Sequence, residues 1–380
     1  MRIGIDARLY GPAVGGGGLG RYVEQLVTEL QRQDRENRYV LFLKPENFET
    51  CRIEAPNFEK RVINAHWYTA KEQMIVPTAI DRERLDLVHF PHWNVPLLLR
   101  TPFVVTIHDL ILLEQPASAK ATTRDPLTHA LKRIGYRLSL LNAVNRSKKI
   151  IAVSEYTRWS IERFFPRIPR SKISVIYEGV TALEGRETAR PRGGETDGRY
   201  FLYVGNAYPH KNLESLLHAF SFFVRLHPDV KLVLAGRDDI FYKRLQRELE
   251  EIEVPKDNVR FVMNPTDAEL ADLYRGATLY LFPSRSEGFG LPPLEAMSAG
   301  VPVAAARATS LPEILGDAAL YFSPDDIEEM VEVMERAHCD ESLRERLITK
   351  GHERVTRYSW SAMAAQTRQV YGKIAHRKTE

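Results

Sequence analysis

The chain has 380 residues, a length that usually serves two domains of ordinary size. Apolar residues make up 44% and charged residues 27%, the balance of a soluble globular protein, and a net charge of +3 is too mild to indicate nucleic-acid binding. Cys51 and Cys339 are too far apart in sequence to form a metal knuckle or a disulfide framework. The N-terminus is not a signal peptide and no apolar run approaches about 18 residues, so we expect a cytoplasmic protein.

Short runs rich in β-branched residues alternate with helix-period segments, which is typical of α/β domains with parallel sheets. The first half has predicted strands at Met1–Asp6, Tyr39–Leu43, Val62–Ala65, Leu87–Phe90, Phe103–Ile107, Lys149–Val153 and Ile173–Ile176. The second half has them at Tyr200–Val204, Val230–Ala235, Val259–Met263, Thr278–Phe282, Pro302–Ala305 and Ala319–Phe322. Two such sets predict two Rossmann-like domains, 1–182 and 199–357, that face a cleft. A polar linker at 183–198 joins them, and a helix with an apolar stripe follows at 358–380.

A glycine-rich segment follows the first strand, at residues 11–20 (GPAVGGGGLG), and leads into a helix. Four consecutive glycines let backbone amides approach an anion or a sugar without obstruction by Cβ atoms. A flexible surface loop is the simpler alternative. The glycine spacing is wrong for a dinucleotide fingerprint.

The fifth strand ends in His108 and Asp109, and the strand before it is followed by His92. Ligands in open parallel sheets bind beyond the carboxyl ends of the strands, so these residues are candidates for a site, with Asp109 able to fix the imidazole tautomer. His89, His92, His108 and Asp109 could also be imagined as metal ligands, but their spacing does not favour a metal site.

Residues 120–150 are strongly basic, with eight lysines and arginines and the single acid Asp125. Leucine, isoleucine and tyrosine residues lie among these charges, as expected of an amphipathic helix. Such a helix suits an anionic membrane surface, and it suits equally a helix packed on the core with a solvated basic face.

In the second half, residues 203–212 (YVGNAYPHKN) lead from a strand into a helix. Asn212 is a good N-cap, and Lys211 stands beside the positive end of that helix. A cation next to helix amides indicates a diphosphate site.

The most specific pattern is residues 284–300, which follow a strand and enter a short helix predicted to begin at Pro292 or Pro293 and to end at Gly300. Glu287 and Glu295 bracket a glycine-flexed loop. The loop amides can bind phosphate, and the carboxylates can each accept sugar or ribose hydroxyls. The segment therefore offers what a nucleotide-sugar needs.

The stretch SEGFGLPPLEAMSAGVPV, with Glu287 and Glu295 eight residues apart, resembles the signature of retaining glycosyltransferases of the GT-B fold, family 4 type. The resemblance implies a metal-independent enzyme without a cofactor that transfers a hexose from a nucleotide-diphosphate sugar to a glycan or polyprenyl-linked acceptor. It implies a last helix that packs back on the N-terminal domain, which takes the acceptor and contacts the membrane in similar enzymes. The catalytic residues it indicates are His108, Glu287 and Lys211. The donor-binding residues are Gly17, Gly18, Gly205, Asn206, Arg237, Met263, Gly288, Phe289, Gly290, Leu291 and Glu295.

One position departs from the family pattern. Many relatives carry arginine after the glycine that ends the strand, where this chain has Asn206. We therefore expect Lys211, helped by Arg237, to neutralise the leaving diphosphate. The segment PHKNL is similar to those of O-antigen and lipopolysaccharide mannosyltransferases, which favours mannose weakly and leaves the nucleobase open.

Other functions fit the sequence less well. A GT-B epimerase or a non-catalytic nucleotide-sugar-binding protein remains an alternative. A phosphorylase of this fold would be a much longer chain, and an NAD-dependent oxidoreductase would need the G-x-G-x-x-G fingerprint that is missing.

Overall fold

The computed structural model describes residues 1–115, 126–181, 199–252 and 254–376. They form two compact units. The first comprises residues 1–110, 126–179 and 359–376, and the second comprises residues 111–115, 180–181, 199–252 and 254–358. The predicted linker at 183–198 lies outside the described residues.

The first unit contains a sheet of seven strands, all of whose pairings are parallel. In chain order they are β1 (Arg2–Asp6), β2 (Arg38–Leu43), β3 (Phe58–Val62), β4 (Leu87–Phe90), β5 (Phe103–Ile107), β6 (Lys149–Ala152) and β7 (Ile173–Val175). Their spatial order is β3-β2-β1-β4-β5-β6-β7. The inner strands are apolar and almost wholly buried because helices cover both faces of such a sheet.

The second unit contains a six-stranded parallel sheet in the order β10-β9-β8-β11-β12-β13. Its strands are β8 (Tyr200–Val204), β9 (Lys231–Gly236), β10 (Val259–Met263), β11 (Leu279–Phe282), β12 (Val303–Ala306) and β13 (Ala319–Phe322). This is the Rossmann order, and in each sheet the strand order reverses beside the first strand.

The α-helices are numbered in chain order through both units. They are α1 (Pro12–Gly15), α2 (Gly17–Gln33), α3 (Pro45–Phe48), α4 (Ala70–Arg82), α5 (Ile111–Glu114), α6 (Pro126–Arg146), α7 (Glu155–Phe164), α8 (Leu213–Leu226), α9 (Ile240–Glu251), α10 (Asp267–Gly276), α11 (Leu291–Ser298), α12 (Leu311–Leu315), α13 (Ile327–Cys339), α14 (Glu341–Val355) and α15 (Trp360–His376). Among these helices, none is long and apolar enough to cross a bilayer.

The last helix, α15, belongs to the first unit and packs on α2. Gln33 donates a hydrogen bond to the Ser361 carbonyl (3.0 Å), and the Tyr371 hydroxyl lies 2.7 Å from His89 Nδ1 in the core. The resemblance had implied this packing. Residues of α15 therefore complete the core of a unit whose sheet forms from the first half of the chain.

Two local predictions were wrong. The third strand is Phe58–Val62 and not Val62–Ala65, because it is an edge strand whose Glu59, Lys60 and Arg61 are partly exposed and therefore lack an apolar run. The glycine-rich segment is largely helical and not an open loop. Gly16 and Gly17 adopt positive φ angles of 74° and 42°, which allows α1 to end and α2 to begin within two residues.

Candidate active site

The candidate donor site lies at the carboxyl edge of the second sheet, where β8 and β11 are neighbours and the strand order reverses. Ligands of open α/β sheets bind in the crevice at such a point. The loop after β8 carries Lys211, and the loop after β11 carries Glu287. The two most specific residues of the sequence analysis therefore stand at the point where the fold favours ligand binding.

Backbone and side-chain hydrogen bonds tie these two loops together. The Arg285 amide donates to the His210 carbonyl (2.8 Å), and the Asn212 side chain donates to the carbonyls of Pro283 (3.2 Å) and Pro324 (2.6 Å). Asn212 precedes α8 as predicted, but the prediction that its side chain caps the helix was wrong. Its backbone is left-handed (φ 61°), a conformation that asparagine tolerates, and its amide links the loops instead.

Lys211 and Glu287 form an ion pair across the two loops, with Nζ 2.5 Å from Oε1. The two side chains are only 13% and 10% exposed. The Glu287 backbone is fixed as well, since its amide donates to Thr309 Oγ1 (2.9 Å) and its carbonyl accepts from Ser310 Oγ (2.9 Å). A cation and a carboxylate are thus held ready side by side, one suited to phosphate and the other to sugar hydroxyls.

Helix α11 begins at Leu291, slightly before the predicted Pro292 or Pro293, and Gly290 precedes it with φ 94°. A Cβ atom at Gly290 would lie 2.8 Å from the Leu311 side chain, so glycine is required there by both conformation and space. Gly288 is partly exposed beside this helix start. Pro292 and Pro293 carry no N–H, so the backbone amides that this helix start can offer to an anion are those of Gly290 and Leu291.

Two of the predicted donor-binding side chains are core residues. Phe289 is buried and packs edge-to-face on Tyr358, with ring centroids 5.4 Å apart, and Leu291 is also buried. Any contact of these two residues with a donor would therefore come from the backbone. Glu295, on α11, is half-buried, and the Tyr274 hydroxyl lies 3.4 Å from its Oε2 atom.

The remaining predicted residues of the second unit lie at the ends of three adjacent strands. Gly205 and Asn206 follow β8, Arg237 follows β9, and Met263 ends β10. The Tyr203 hydroxyl donates to the Asn206 carbonyl (2.7 Å), and the Arg237 side chain is exposed. The fold therefore brings these residues to the sheet edge that also carries Lys211.

Gly17 and Gly18 lie in the first unit, in the exposed first turn of α2. Their amides belong to a helix N-terminus, whose first N–H groups have no acceptor within the helix. The binding of an anion by the amides of Gly17 and Gly18 stays a prediction, now at a helix start and not in a loop.

His108, which follows β5, has both ring nitrogens in hydrogen bonds inside the first unit. Nδ1 lies 2.8 Å from Glu178 Oε1, and Nε2 lies 2.9 Å from the Pro91 carbonyl oxygen. Burial alone would lower the pKa of His108, but the adjacent Glu178 carboxylate outweighs it and raises the pKa. Both partners are acceptors, so this geometry favours the charged imidazolium form, and a bond to a sugar hydroxyl would require one of these partners to be given up.

We expect Glu178→Gln to lower the pKa of His108, because the amide removes the charge that favours the imidazolium. The stabilisation from this pair is present below the ordinary histidine pKa and is lost as the pH rises through the raised pKa of His108. Histidine NMR titration of the full chain checks the shift, with Glu335→Gln, which removes the carboxylate 2.8 Å from His227, as the control. An unchanged pKa for His108 would contradict the assignment.

The sequence analysis missed Glu178 and Arg8. Glu178 stands three residues after the end of β7, and Arg8 stands two residues after β1. The rule that singled out His108, that polar residues beyond strand ends form sites, applies to both positions. What the sequence does not indicate is which acid is the partner of which base.

The described residues also include one group with the geometry of metal ligands. Ligand atoms of His227, Glu335 and Cys339 lie within 4.8 Å of one another. His227 lies directly after the C-terminal end of α8, and Lys211 lies two residues before its N-terminal end. A helix of this length spans about 20 Å, which separates the two residues. These residues are therefore distinct from the candidate donor site.

Family comparisons cover nearly the whole chain. Residues 16–182 match the model described as Glycosyltransferase Family 4, and residues 185–354 match the model described as Glycosyl transferases group 1. The chain is 30% identical over 262 residues to the O-antigen chain mannosyltransferase RfbU of Salmonella typhimurium, covering 68% of this chain and 67% of that protein. It is 29% identical over 310 residues to the O-antigen chain mannosyltransferase B of Escherichia coli, covering 75% and 74%.

Solved structures with the same fold include the sucrose-phosphate synthase of Thermosynechococcus elongatus, with a TM-score of 0.78 and 22% identity over 99% of both chains. WaaG, a glycosyltransferase involved in lipopolysaccharide biosynthesis, has a TM-score of 0.74 and 16% identity over 97% of this chain and 99% of its own. Anabaena HepE in complex with UDP and glucose has a TM-score of 0.73 and 17% identity over 98% and 99%. These likenesses confirm the predicted two-domain α/β fold of the GT-B kind.

Proposed function

This chain belongs to the family 4 glycosyltransferases (glycosyl transferases group 1), and we propose that it transfers mannose, with retention, from a nucleotide-diphosphate sugar to a glycan or lipid-linked glycan. The observation that carries the donor assignment is the ion pair between Lys211 and Glu287 at the reversal point of the second sheet. The similarity to O-antigen mannosyltransferases supports mannose as the transferred sugar. The complex of HepE with UDP supports a nucleoside diphosphate as the leaving group.

In the proposed reaction the bond between the anomeric carbon and the phosphate oxygen breaks, and the acceptor hydroxyl oxygen bonds to that carbon on the same face. The hydroxyl proton passes to the leaving phosphate. Lys211 and the backbone amides of Gly290 and Leu291 stabilise the negative charge that grows on this phosphate, and Glu287 holds the sugar hydroxyls. Glu295 is proposed to bind the ribose. The second unit thus binds the donor, and the first unit binds the acceptor.

The function is tested by incubating the full chain with GDP-mannose, UDP-glucose, UDP-galactose and ADP-glucose in the presence of EDTA. We expect one donor to raise the melting temperature, because a ligand of the folded state stabilises it, and that donor to be slowly hydrolysed. Proton NMR of the product of transfer to a mannose acceptor then reports whether the anomeric configuration is retained. Binding without hydrolysis would favour the non-catalytic alternative, and activity only with added metal would overturn metal independence.

We further propose that the first unit contacts an anionic membrane. Ile134, Leu138 and Leu141 recur at helical spacing on α6 and are 42 to 55% exposed. Arg146 donates to the carbonyl of Leu97 (2.6 Å), which holds the exposed Leu97 and Leu98 at the end of the same helix. The exposed Arg137 and Lys148 add positive charge. The first part of the predicted 120–150 segment (Lys120, Arg124 and Asp125) lies outside the described residues.

We expect the full chain to sediment with vesicles of phosphatidylserine and phosphatidylcholine, and Leu138→Asp to reduce the bound fraction severalfold. An aspartate there removes apolar contact and adds repulsion from the anionic surface. Leu226→Asp is the control, because Leu226 is a helix leucine of the second unit that is even more exposed (72%) than Leu138 (51%). Equal losses in both variants, or binding that does not respond to salt, would contradict the assignment.

A further inference from the structure

A cluster of aromatic side chains lies at the reversal point of the first sheet, where β1 and β4 are neighbours. Its members are Tyr68, which immediately precedes the N-cap of α4, His92 and Trp93, which follow β4, and Tyr136 on α6. We call it the aromatic platform. By the rule that located the donor site, this is where the first sheet would bind a ligand.

The rings of the platform contact one another in a chain. Tyr68 lies 5.4 Å from Trp93 and 6.4 Å from His92 between centroids, and Trp93 packs edge-to-face on Tyr136 at 4.6 Å. Tyr68 is 64% exposed, whereas the other three rings are half-buried. The platform therefore offers one exposed ring supported by a fixed aromatic base.

Tyr68 is held in a conformation that is costly for tyrosine. Its φ angle is 63°, in the left-handed region that bulky residues rarely adopt because it strains their backbone. Its amide donates to Glu72 Oε2 (2.7 Å), and the buried Glu72 is itself fixed through Oε1 by Arg8 Nη2 and Asn94 Nδ2, both at 2.8 Å. Buried charged groups thus fix the backbone of a residue whose ring is exposed. A tyrosine that only faces solvent would not need such a network.

Polar groups with spare hydrogen-bonding capacity adjoin the platform. Arg8 Nη1 and the indole nitrogen of the neighbouring Trp67 are buried and have no hydrogen-bond partner among the described residues. Burial and the charges of His108 and Arg8 lower the pKa of His92 to about 3, so its imidazole is neutral and suits hydroxyl groups.

The charges around the platform favour a neutral ligand. The cations near the platform already pair with carboxylates: Arg8 with Asp6 and Glu72, His108 with Glu178, and Lys44, which lies over the Trp67 ring, with Glu46. A phosphate would have to displace a carboxylate from one of these cations, whereas an uncharged sugar ring meets an aromatic face and polar groups. Aromatic rings with a few fixed polar groups are the usual lining of a small-molecule site.

We propose that the aromatic platform binds a neutral hexose of the acceptor glycan, stacked on Tyr68. The proposal rests on the proposed function for its choice of ligand and deepens it by naming the acceptor subsite. Tyr68, Trp93 and His92 act as specificity-determining residues for the acceptor.

The test is Tyr68→Gly in the full chain, with α-linked mannotriose and maltotriose as probes in saturation-transfer NMR and calorimetry. Glycine removes the stacking ring and also relieves the positive φ, so we expect the melting temperature to stay level or rise while the Kd for mannotriose weakens about tenfold. Trp159→Ala, which removes an exposed ring on α7 in the same unit, should leave the Kd unchanged.

The outcomes separate this proposal from the proposed function. If the unmodified chain binds neither trisaccharide, or if Tyr68→Gly binds as well as the unmodified chain, the platform assignment is wrong even when a donor binds normally. If no nucleotide-sugar raises the melting temperature but mannotriose binds and depends on Tyr68, the platform stands and the transferase proposal fails.

Discussion

Replacement of Lys211 by alanine is expected to lower kcat/KM for sugar transfer by about 10²–10³-fold, the usual loss when one group that stabilises transition-state charge is removed. The ammonium lies 2.5 Å from Glu287 in a nearly buried position, so solvent cannot replace it at low cost. Glu287→Ala should cause a loss of similar size, because the sugar then loses its hydroxyl acceptor. Steady-state transfer assays with the donor identified by thermal shift measure both effects.

Lys350→Ala is the matched control, because Lys350 also pairs with a carboxylate, Asp317 at 2.7 Å, but at an exposed position in the same unit. Its kcat/KM should stay within about twofold of the parent, since exposed pairs contribute little. Either single variant at the donor site leaves a buried charge, so unfolding must be measured alongside. A fully active Lys211→Ala enzyme would remove the main support for the donor site.

Loss of Arg8 is expected to be the most damaging single change to stability. Arg8 is 1% exposed and binds Asp6 through Nε (2.8 Å) and Nη2 (2.7 Å) and Glu72 through Nη2 (2.8 Å). Burial alone would lower the pKa of Arg8, but these two carboxylates outweigh it and raise the pKa. Arg8→Met leaves both carboxylates without a cation, and removing one partner of a buried pair costs about 3–5 kcal/mol of unfolding free energy.

Hydrogen exchange of the β1 and β4 amides measures this loss in the first unit, since a chain with two units need not unfold in one step. Arg61→Met provides the comparison, because Arg61 also bridges two carboxylates, Glu59 and Glu83, but is 42% exposed. The Arg61→Met substitution should lower the free energy of unfolding by less than about 1 kcal/mol. Equal losses of unfolding free energy in Arg8→Met and Arg61→Met would show that burial does not set the contribution of the Arg8 ion pairs to stability.

The buried strands could be predicted from the sequence because they are short apolar runs between polar or glycine-rich segments. Leu87–Phe90, Phe103–Ile107 and Tyr200–Val204 have the predicted bounds for this reason. The edge strand β3 could not be placed, since one face of it is in solvent and its sequence resembles a loop. Four consecutive glycines likewise favoured a loop, although helix α2 begins among them because the segment after Gly18 is strongly amphipathic.

The positions of the candidate site residues could be predicted better than their partners. Lys211 and Glu287 follow strands of the second sheet, His108 follows a strand of the first, and parallel strands bring their carboxyl ends to one edge of each sheet. The pairing of Lys211 with Glu287 joins residues 76 positions apart in the sequence, and the pairing of His108 with Glu178 joins residues 70 positions apart. Both pairings depend on loop conformations that the sequence does not indicate. No sequence pattern indicated Tyr68 as a binding residue, because its exposure and its positive φ angle are properties of the folded chain alone.

The place of α15 in the first unit has a consequence for biosynthesis. Because Tyr371 reaches the buried His89 and Trp360 lies 6.5 Å from Tyr22, the core of the first unit includes residues translated after the entire second unit. Domains generally fold as they leave the ribosome, N-terminal first. Here the earlier-made unit must wait for α15, with part of its apolar surface uncovered, while the later-made unit already has all of its strands. During synthesis the order of completion is therefore the reverse of the order of translation.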